Sequence, residues 1–260
     1  MNYAIITLCH EGLIIAEKIA AGLPHCHLFV HRDVPCGNHV TRFDRVIALT
    51  AEIFTGYNGL IYIMPSGVIV RAVAPMIEHK LKDPAVVAVD VGGRWAVSLL
   101  SGHEGGANIL SYRVANLINA EPVISTTTEA VKSIIAGVGC RRGVTSAQII
   151  DALDTALKQA SLPLSQVRLI ASADLKADEQ GLLDAARQLD LPLRFISSDE
   201  IRQSSRNFTH HQFVKSKVNL PAVAEPAALL AGRRTTLILN RQKLNGVTVA
   251  LAQEHFMWSE

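Results

Sequence analysis

The chain has 260 residues, 49% of them hydrophobic, 18% charged and 5% aromatic, with a formal net charge of +2. This is the composition of a globular protein with one large domain or two small ones, and the balanced charge and few aromatics argue against a nucleic-acid-binding face. No run reaches the roughly 18 apolar residues that a membrane-spanning helix needs, so no membrane association is expected.

Short β-rich runs alternate with helical patterns, the signature of an α/β fold. NYAIITL (2–8) reads as a strand and GLIIAEKIAAGL (12–23) as a helix with one apolar face. HLFV (27–30) reads as a strand, and RVIALT (45–50) is an apolar run of either type. GLIYIM (59–64) is a buried strand closed by Pro65-Ser66-Gly67. VIVRAVAPMIEHKL (68–81) has helical periodicity, kinked or ended by Pro75. AVVAVDV (85–91) and RWAVSLL (94–100) flank Gly92-Gly93, a hairpin signal. ANILSYRVANLI (107–118) is helical, and PVIST (122–126) returns as a strand.

The second half opens with the strand IIAGVG (134–139) and a helix capped by Thr145 or Ser146 that runs to about residue 160. The strand VRLIAS (167–172), a helix over 180–189, the strand LRFIS (193–197), a short helix after Ser198 and a helix over 225–231 follow. TTLILN (235–240) and VTVALA (247–252) close the chain as strands. The polar stretch 203–221, with His210, His211, Lys215 and Lys217, reads as a mobile loop. The expected architecture is two three-layer α/β domains with mainly parallel sheets, spanning 1–133 and 134–260.

Three loops share one design, a strand followed by a Gly/Ser cluster and then a helix. They are Pro65-Ser66-Gly67, Ser101-Gly102-His103-Glu104-Gly105-Gly106 and Gly137-Val138-Gly139-Cys140-Arg141-Arg142-Gly143. A helix start leaves N–H groups unpaired and slightly positive, glycine lets an anion approach them, and in open α/β sheets such loops lie beyond the carboxyl ends of the strands. Each loop could equally serve as a tight turn. None matches GxxxxGK[ST] or GxGxxG, so the expected ligand is an anion larger than one phosphate rather than a nucleotide.

His103 is the candidate general base, because imidazole exchanges a proton near neutrality. Glu104 either assists it or favours the start of the following helix, and Ser101 is a candidate nucleophile outside any GxSxG elbow. The amides of Gly102, Gly105 and Gly106 are candidate oxyanion or carboxylate donors. Ser66, Gly67, Arg71, Asp90 and Asn108 join the substrate-binding set, although Asp90 with Arg94 reads equally as a hairpin-end ion pair and Arg71 as a solvated charge. Arg141 and Arg142 form either a carboxylate clamp or a solvated pair. Cys140, Lys176, Glu179, Glu225 and Lys243 complete the second-domain candidates.

Cys9, His10, His25, Cys26, His27, His31, Cys36 and His39 match no standard zinc spacing, so no metal site is expected. The four cysteines, Cys9, Cys26, Cys36 and Cys140, lack a CxxC, which argues for a reducing, cytoplasmic setting. MNYAIITLCHEG lacks the pattern of a secretion signal.

GLIYIMPSGVIVRAVAP, DPAVVAVD, LLSGHEGGAN and TTTEA together resemble the signature region of the CbiG family, the cobalt-precorrin-5A hydrolases of cobalamin biosynthesis. GVGCRRGVTSAQI (137–149), LIASADLKADEQGLL (169–183), AVAEPAALLA (222–231) and QKLNGVTVALA (242–252) resemble the companion domain shared with CobE. The resemblance implies opening of the δ-lactone of cobalt-precorrin-5A and release of C-20 as acetaldehyde, giving cobalt-precorrin-5B. It implies a carboxylate-rimmed cobalt-precorrin macrocycle as ligand, with cobalt carried by the substrate and no cofactor of the protein's own. A homodimer and transient contacts with neighbouring corrin-pathway enzymes are compatible partnerships.

Two departures stand out. Only EAVKSIIA separates Thr128 from Gly137, so the middle domain of many family members is absent. Position 65 carries proline where the family commonly has a small residue. The alternative to catalysis is a non-catalytic role as a binding or carrier protein for corrinoid intermediates.

Overall fold

A computed structural model describes residues 1–206 and 223–258. The expected mobile loop falls largely outside the described residues, and His210, His211, Lys215 and Lys217 lie there. The chain divides into two compact units between Thr126 and Thr127, whereas the sequence reading places the division between 133 and 134.

The first unit runs β1 (Tyr3–Thr7), α1 (His10–Gly22), β2 (Cys26–His31), β3 (Thr41–Phe43), α2 (Val46–Ile53), β4 (Gly59–Ile63), α3 (Ser66–Val73), β5 (Ala85–Val89), β6 (Trp95–Leu100), α4 (Ala107–Ile118) and β7 (Glu121–Val123). The strands form one sheet in the order β3-β2-β1-β4-β5-β6-β7. Every pairing is parallel except β5–β6. Period-two alternation sorts each strand's side chains between two helical layers. Ile5, Ile61, Ile63, Val87 and Val89 pack with Ile19 of α1 and Leu110 and Val114 of α4. Ala4, Ile6, Leu60, Tyr62 and Val86 pack with Leu49 of α2 and Ile69 and Val73 of α3. Because β1, β4 and β5 are covered on both faces, every residue in them is buried, which explains their continuous apolar runs.

The second unit opens with α5 (Thr127–Ala130). It continues with β8 (Ile134–Cys140), α6 (Ser146–Gln159), β9 (Val167–Ala173), α7 (Gln180–Gln188), β10 (Leu193–Ile196), α8 (Ser198–Gln203), α9 (Ala224–Leu230), β11 (Thr235–Leu244) and β12 (Val247–Glu254). Its sheet order is β10-β9-β8-β12-β11. The β8–β9 and β9–β10 pairs are parallel, and β12 runs antiparallel to both β8 and β11. Thr145 caps α6 through a reciprocal capping box with Gln148. Helices α6 and α7 cover one face of the sheet. On the other, α9 presses so closely on β8 that a Cβ at Gly137 would lie 1.9 Å from the Ala224 carbonyl oxygen.

The α/β reading holds, and the structure settles several local points. Of the kink or end expected at Pro75, the structure shows an end: the helix stops at Val73 and passes through a 3-10 turn, Ala74–Met76, because Pro75 lacks an N–H. RVIALT resolves as the start of α2, preceded by an unanticipated edge strand, β3. PVIST narrows to Glu121–Val123, an edge position that tolerates Pro122. The antiparallel strands also make the second sheet only half parallel. The Gly137 contact predicts that Gly137→Ala destabilises the second unit by about 1–3 kcal/mol, measured by denaturant unfolding.

Candidate functional site

Strand direction decides which expected site residues meet. In the first unit β4 and β5 run together, so Pro65-Ser66-Gly67 and Asp90 lie at one end of the sheet. Strand β6 runs back against β5 and pairs Leu100 with Val86. The Ser101–Gly106 loop therefore emerges beside the amino ends of β4 and β5. Their five-residue strands separate the two ends by roughly 16 Å. The expectation that these loops gather at the carboxyl ends of parallel strands is corrected by this single reversal.

At the far end, Arg71 folds back to donate from Nη1 to the Gly67 carbonyl at 2.9 Å. The Asp90 carboxylate accepts from the amides of Gly92, Arg94 and Trp95 and from Arg94 Nε. These contacts hold its carboxyl below the usual range against the opposing effect of burial. Asp90 thus closes the hairpin.

The Ser101–Gly106 loop is built on close approach. A Cβ at Gly105 would lie 2.3 Å from Ser101 Cβ, and one at Gly102 would lie 2.7 Å from Thr126 Oγ1 and 2.9 Å from Asn108 Oδ1. Ser101 and Gly106, at the two ends of the loop, adopt left-handed φ values of 57° and 84°. The loop also consumes part of the expected anion site. The Ala107 amide donates to the Ser101 carbonyl, the Asn108 amide to that of Gly102 and the Gly106 amide to that of His103.

His103 and Glu104 are exposed at the loop's tip. Glu104 Oε1 accepts from Lys80 Nζ at 2.5 Å, and this ammonium is the main reason the Glu104 carboxyl lies below its ordinary value. Glu104 is accordingly ionised at neutral pH and suits an electrostatic role better than proton donation. Beneath the loop, Asn108 Oδ1 accepts from Ser98 Oγ at 2.8 Å and Thr126 Oγ1 at 3.1 Å. Asn108 Nδ2 and Ser101 Oγ are buried without a hydrogen-bond partner among the described residues. Among the described residues no base therefore activates the Ser101 hydroxyl in this conformation. Sequence reasoning does not single out Lys80, Ser98 or Thr126. The one signal is that Ser98 interrupts the apolar run WAVSLL.

In the second unit the carboxyl ends of β8 and β9 do gather candidates. Arg142 Nη1 donates to Asp178 Oδ2 at 2.7 Å, and the Gly143 amide donates to Glu179 Oε1 at 2.9 Å. Glu179 is buried, and its Oε2 has no hydrogen-bond partner among the described residues. Burial pushes the Cys140 thiol up, Lys176 and Arg142 pull it down, and Glu179 raises it. Cys140, Arg142, Lys176 and Glu179 are thus electrostatic neighbours at one loop, while the Arg141 amide donates to the Gly246 carbonyl. Glu225 belongs to α9, on the opposite face of the sheet, and accepts from the Arg241 amide. Lys243 lies on β11 and pairs with Thr248 of β12, the strand that separates β11 from β8.

Of the histidines and cysteines in the first 40 residues, His27 Nδ1 meets Tyr57 Oη, His31 Nε2 meets the Asp44 carbonyl and His39 Nε2 meets Glu17. Among the described residues no cluster of three His, Cys, Asp or Glu side chains is arranged to hold a metal. No described helix is long and apolar enough to cross a membrane.

The family model for the cobalamin synthesis G N-terminal region matches residues 48–129, and that for the cobalamin synthesis G C-terminus matches 134–252. The chain belongs to the CbiG family. Among its relatives, the cobalt-precorrin-5A hydrolase of Salmonella typhimurium is 26% identical across 98% of both chains. Their aligned span of 347 positions exceeds the 260 residues of this CbiG-family chain, so the Salmonella protein carries sequence with no counterpart here. Protein CobE of a Sinorhizobium species is 32% identical and covers 48% of this chain and 83% of its own. A crystal structure of CobE, a protein from the cobalamin biosynthetic pathway, is 28% identical over 47% of this chain and 91% of its own, with a TM-score of 0.44.

The charges around Cys140 generate a titration test. In a variant with serine at the other three cysteines, alkylation of Cys140 is expected to reach half its limiting rate above the pH of a free thiol. Lys176→Ala should move that midpoint higher, because the ammonium favours thiolate, and Glu179→Gln should move it lower. A midpoint indifferent to both substitutions would show that neither charge reaches the thiol.

Proposed function

We propose that this CbiG-family chain is a cobalt-precorrin-5A hydrolase, which opens the macrocycle's δ-lactone and releases C-20 as acetaldehyde to give cobalt-precorrin-5B. The observation that carries the reading is the near full-length relationship to proteins bearing that name, which spans both units. The exposed His103 beside an ionised Glu104 supports it chemically.

His103 takes a proton from water as the water oxygen bonds to the lactone carbonyl carbon. The ring-ester bond then breaks, leaving a carboxylate and a C-20 hydroxyl. Loss of the hydroxyl proton turns that oxygen into the aldehyde carbonyl. The bond between C-20 and the macrocycle breaks in the same step, and its electron pair passes into the cobalt-bearing ring, which is then protonated. The protein orients and transfers protons, and the electron sink belongs to the substrate. Cobalt arrives with the macrocycle, no cofactor of the protein's own takes part, and the reaction belongs in the cytoplasm.

Purified protein incubated with cobalt-precorrin-5A should release acetaldehyde in step with substrate loss. His103→Ala should keep the melting temperature and lose about 100-fold or more in kcat. Undiminished turnover in that variant removes His103 from the mechanism, and tight binding without acetaldehyde from the native chain favours a carrier instead.

A further inference from the structure

Among the described residues the first unit has three buried side-chain polar atoms without a hydrogen-bond partner, Ser101 Oγ, Asn108 Nδ2 and, within α4, Ser111 Oγ, and the first two flank the Ser101–Gly106 loop. Asn108 is 5% exposed and Ser101 7%, yet Asn108 Nδ2 and Ser101 Oγ have no hydrogen-bond partner among the described residues. A buried polar group left unmet is costly, and native folds rarely keep one without a reason. Both groups can donate, so both call for an acceptor. The Asn108 amide is also held in orientation, because two hydroxyls from separate segments, Ser98 on β6 and Thr126 beyond β7, donate to its Oδ1. That arrangement leaves the two Nδ2 protons directed away from Ser98 and Thr126. Ser101 adds a left-handed φ of 57°, a conformation glycine would adopt more easily.

We infer that Asn108 Nδ2 and Ser101 Oγ receive the lactone carbonyl oxygen while negative charge builds on it, an inference that rests on the hydrolase reading. When water adds to the carbonyl carbon, the π electrons move onto that oxygen and the two donors hold it. The electron pair returns as the ring-ester bond breaks. Preorganised donors of this kind act on the transition state more than on the bound substrate. Gly105 lies against Ser101, so the oxygen enters when residues 102–106 swing outward about Ser101 and Gly106. The exposed Lys80–Glu104 contact is weak enough in water to yield.

The test compares steady-state acetaldehyde release, substrate affinity by absorbance titration and thermal melting for the native chain and four variants. Ser101→Gly relieves the backbone and should melt no lower than the native chain, while its kcat falls about 10-fold. Asn108→Asp keeps an acceptor for Ser98 and Thr126 but removes the donor, and its kcat should fall about 100-fold or more with KM changed only a few-fold. Thr126→Val should lower kcat and Thr126→Ser should restore it, as expected of a positioning residue. Native turnover with unchanged kcat in Ser101→Gly and Asn108→Asp overturns the inference and leaves the hydrolase reading intact. A native chain that binds cobalt-precorrin-5A without releasing acetaldehyde overturns both.

Discussion

The Asp90 carboxylate gathers three backbone amides and the Arg94 side chain into one turn, and that turn sends β6 back against β5. An antiparallel strand delivers its following loop to the opposite end of the sheet from its parallel neighbours. The histidine-bearing loop therefore sits apart from Pro65-Ser66-Gly67 and shares its end with the segment before β5, which supplies Lys80. The electrostatics of Glu104 follow from that placement, since the ammonium that holds its carboxyl low comes from there.

Close backbone approach accounts for several glycines that read as anion-binding devices. Gly105 clears Ser101, Gly102 clears Thr126 and Asn108, and Gly137 clears the backbone of α9. Three loop and helix-entry amides near His103 already donate within the loop. An anion at this loop thus depends more on side-chain donors than on the bare helix terminus that the glycine pattern suggests. In the second unit the clustering works differently. Three parallel strands end together, and Cys140, Arg142, Lys176 and Glu179 become electrostatic neighbours there.

Much of the fold was legible because strand and helix periodicities are local. ANILSYRVANLI forms α4 over the expected residues, and the buried runs at 59–64 and 85–91 form β4 and β5. Of the two outcomes Pro75 allowed, a kink or an end, the structure shows the end: α3 stops at Val73. The site was legible in part. His103 and Glu104 announced themselves by residue type in a glycine-rich loop. Ser98 and Thr126 did not, because a short polar side chain in or beside a strand carries no local mark of the partner it will meet. The Gly92-Gly93 hairpin in fact implied the reversal that contradicts a common carboxyl-end site, so both signals stood in the sequence together.

By itself the sequence determined the α/β class, most of the elements, the family and the loop that carries the candidate base. Each of these rests on near-neighbour pattern or a contiguous motif. Tertiary structure alone decided that Asp90 closes a turn, that Pro65-Ser66-Gly67 and Ser101–Gly106 lie at opposite ends of one sheet, and that Asn108 keeps an amide without an acceptor among the described residues. Those outcomes depend on strand direction and register, which bring together residues such as Ser98, Asn108 and Thr126 from three segments. Pairing between distant segments is set by packing of the whole unit, and no local pattern contains it.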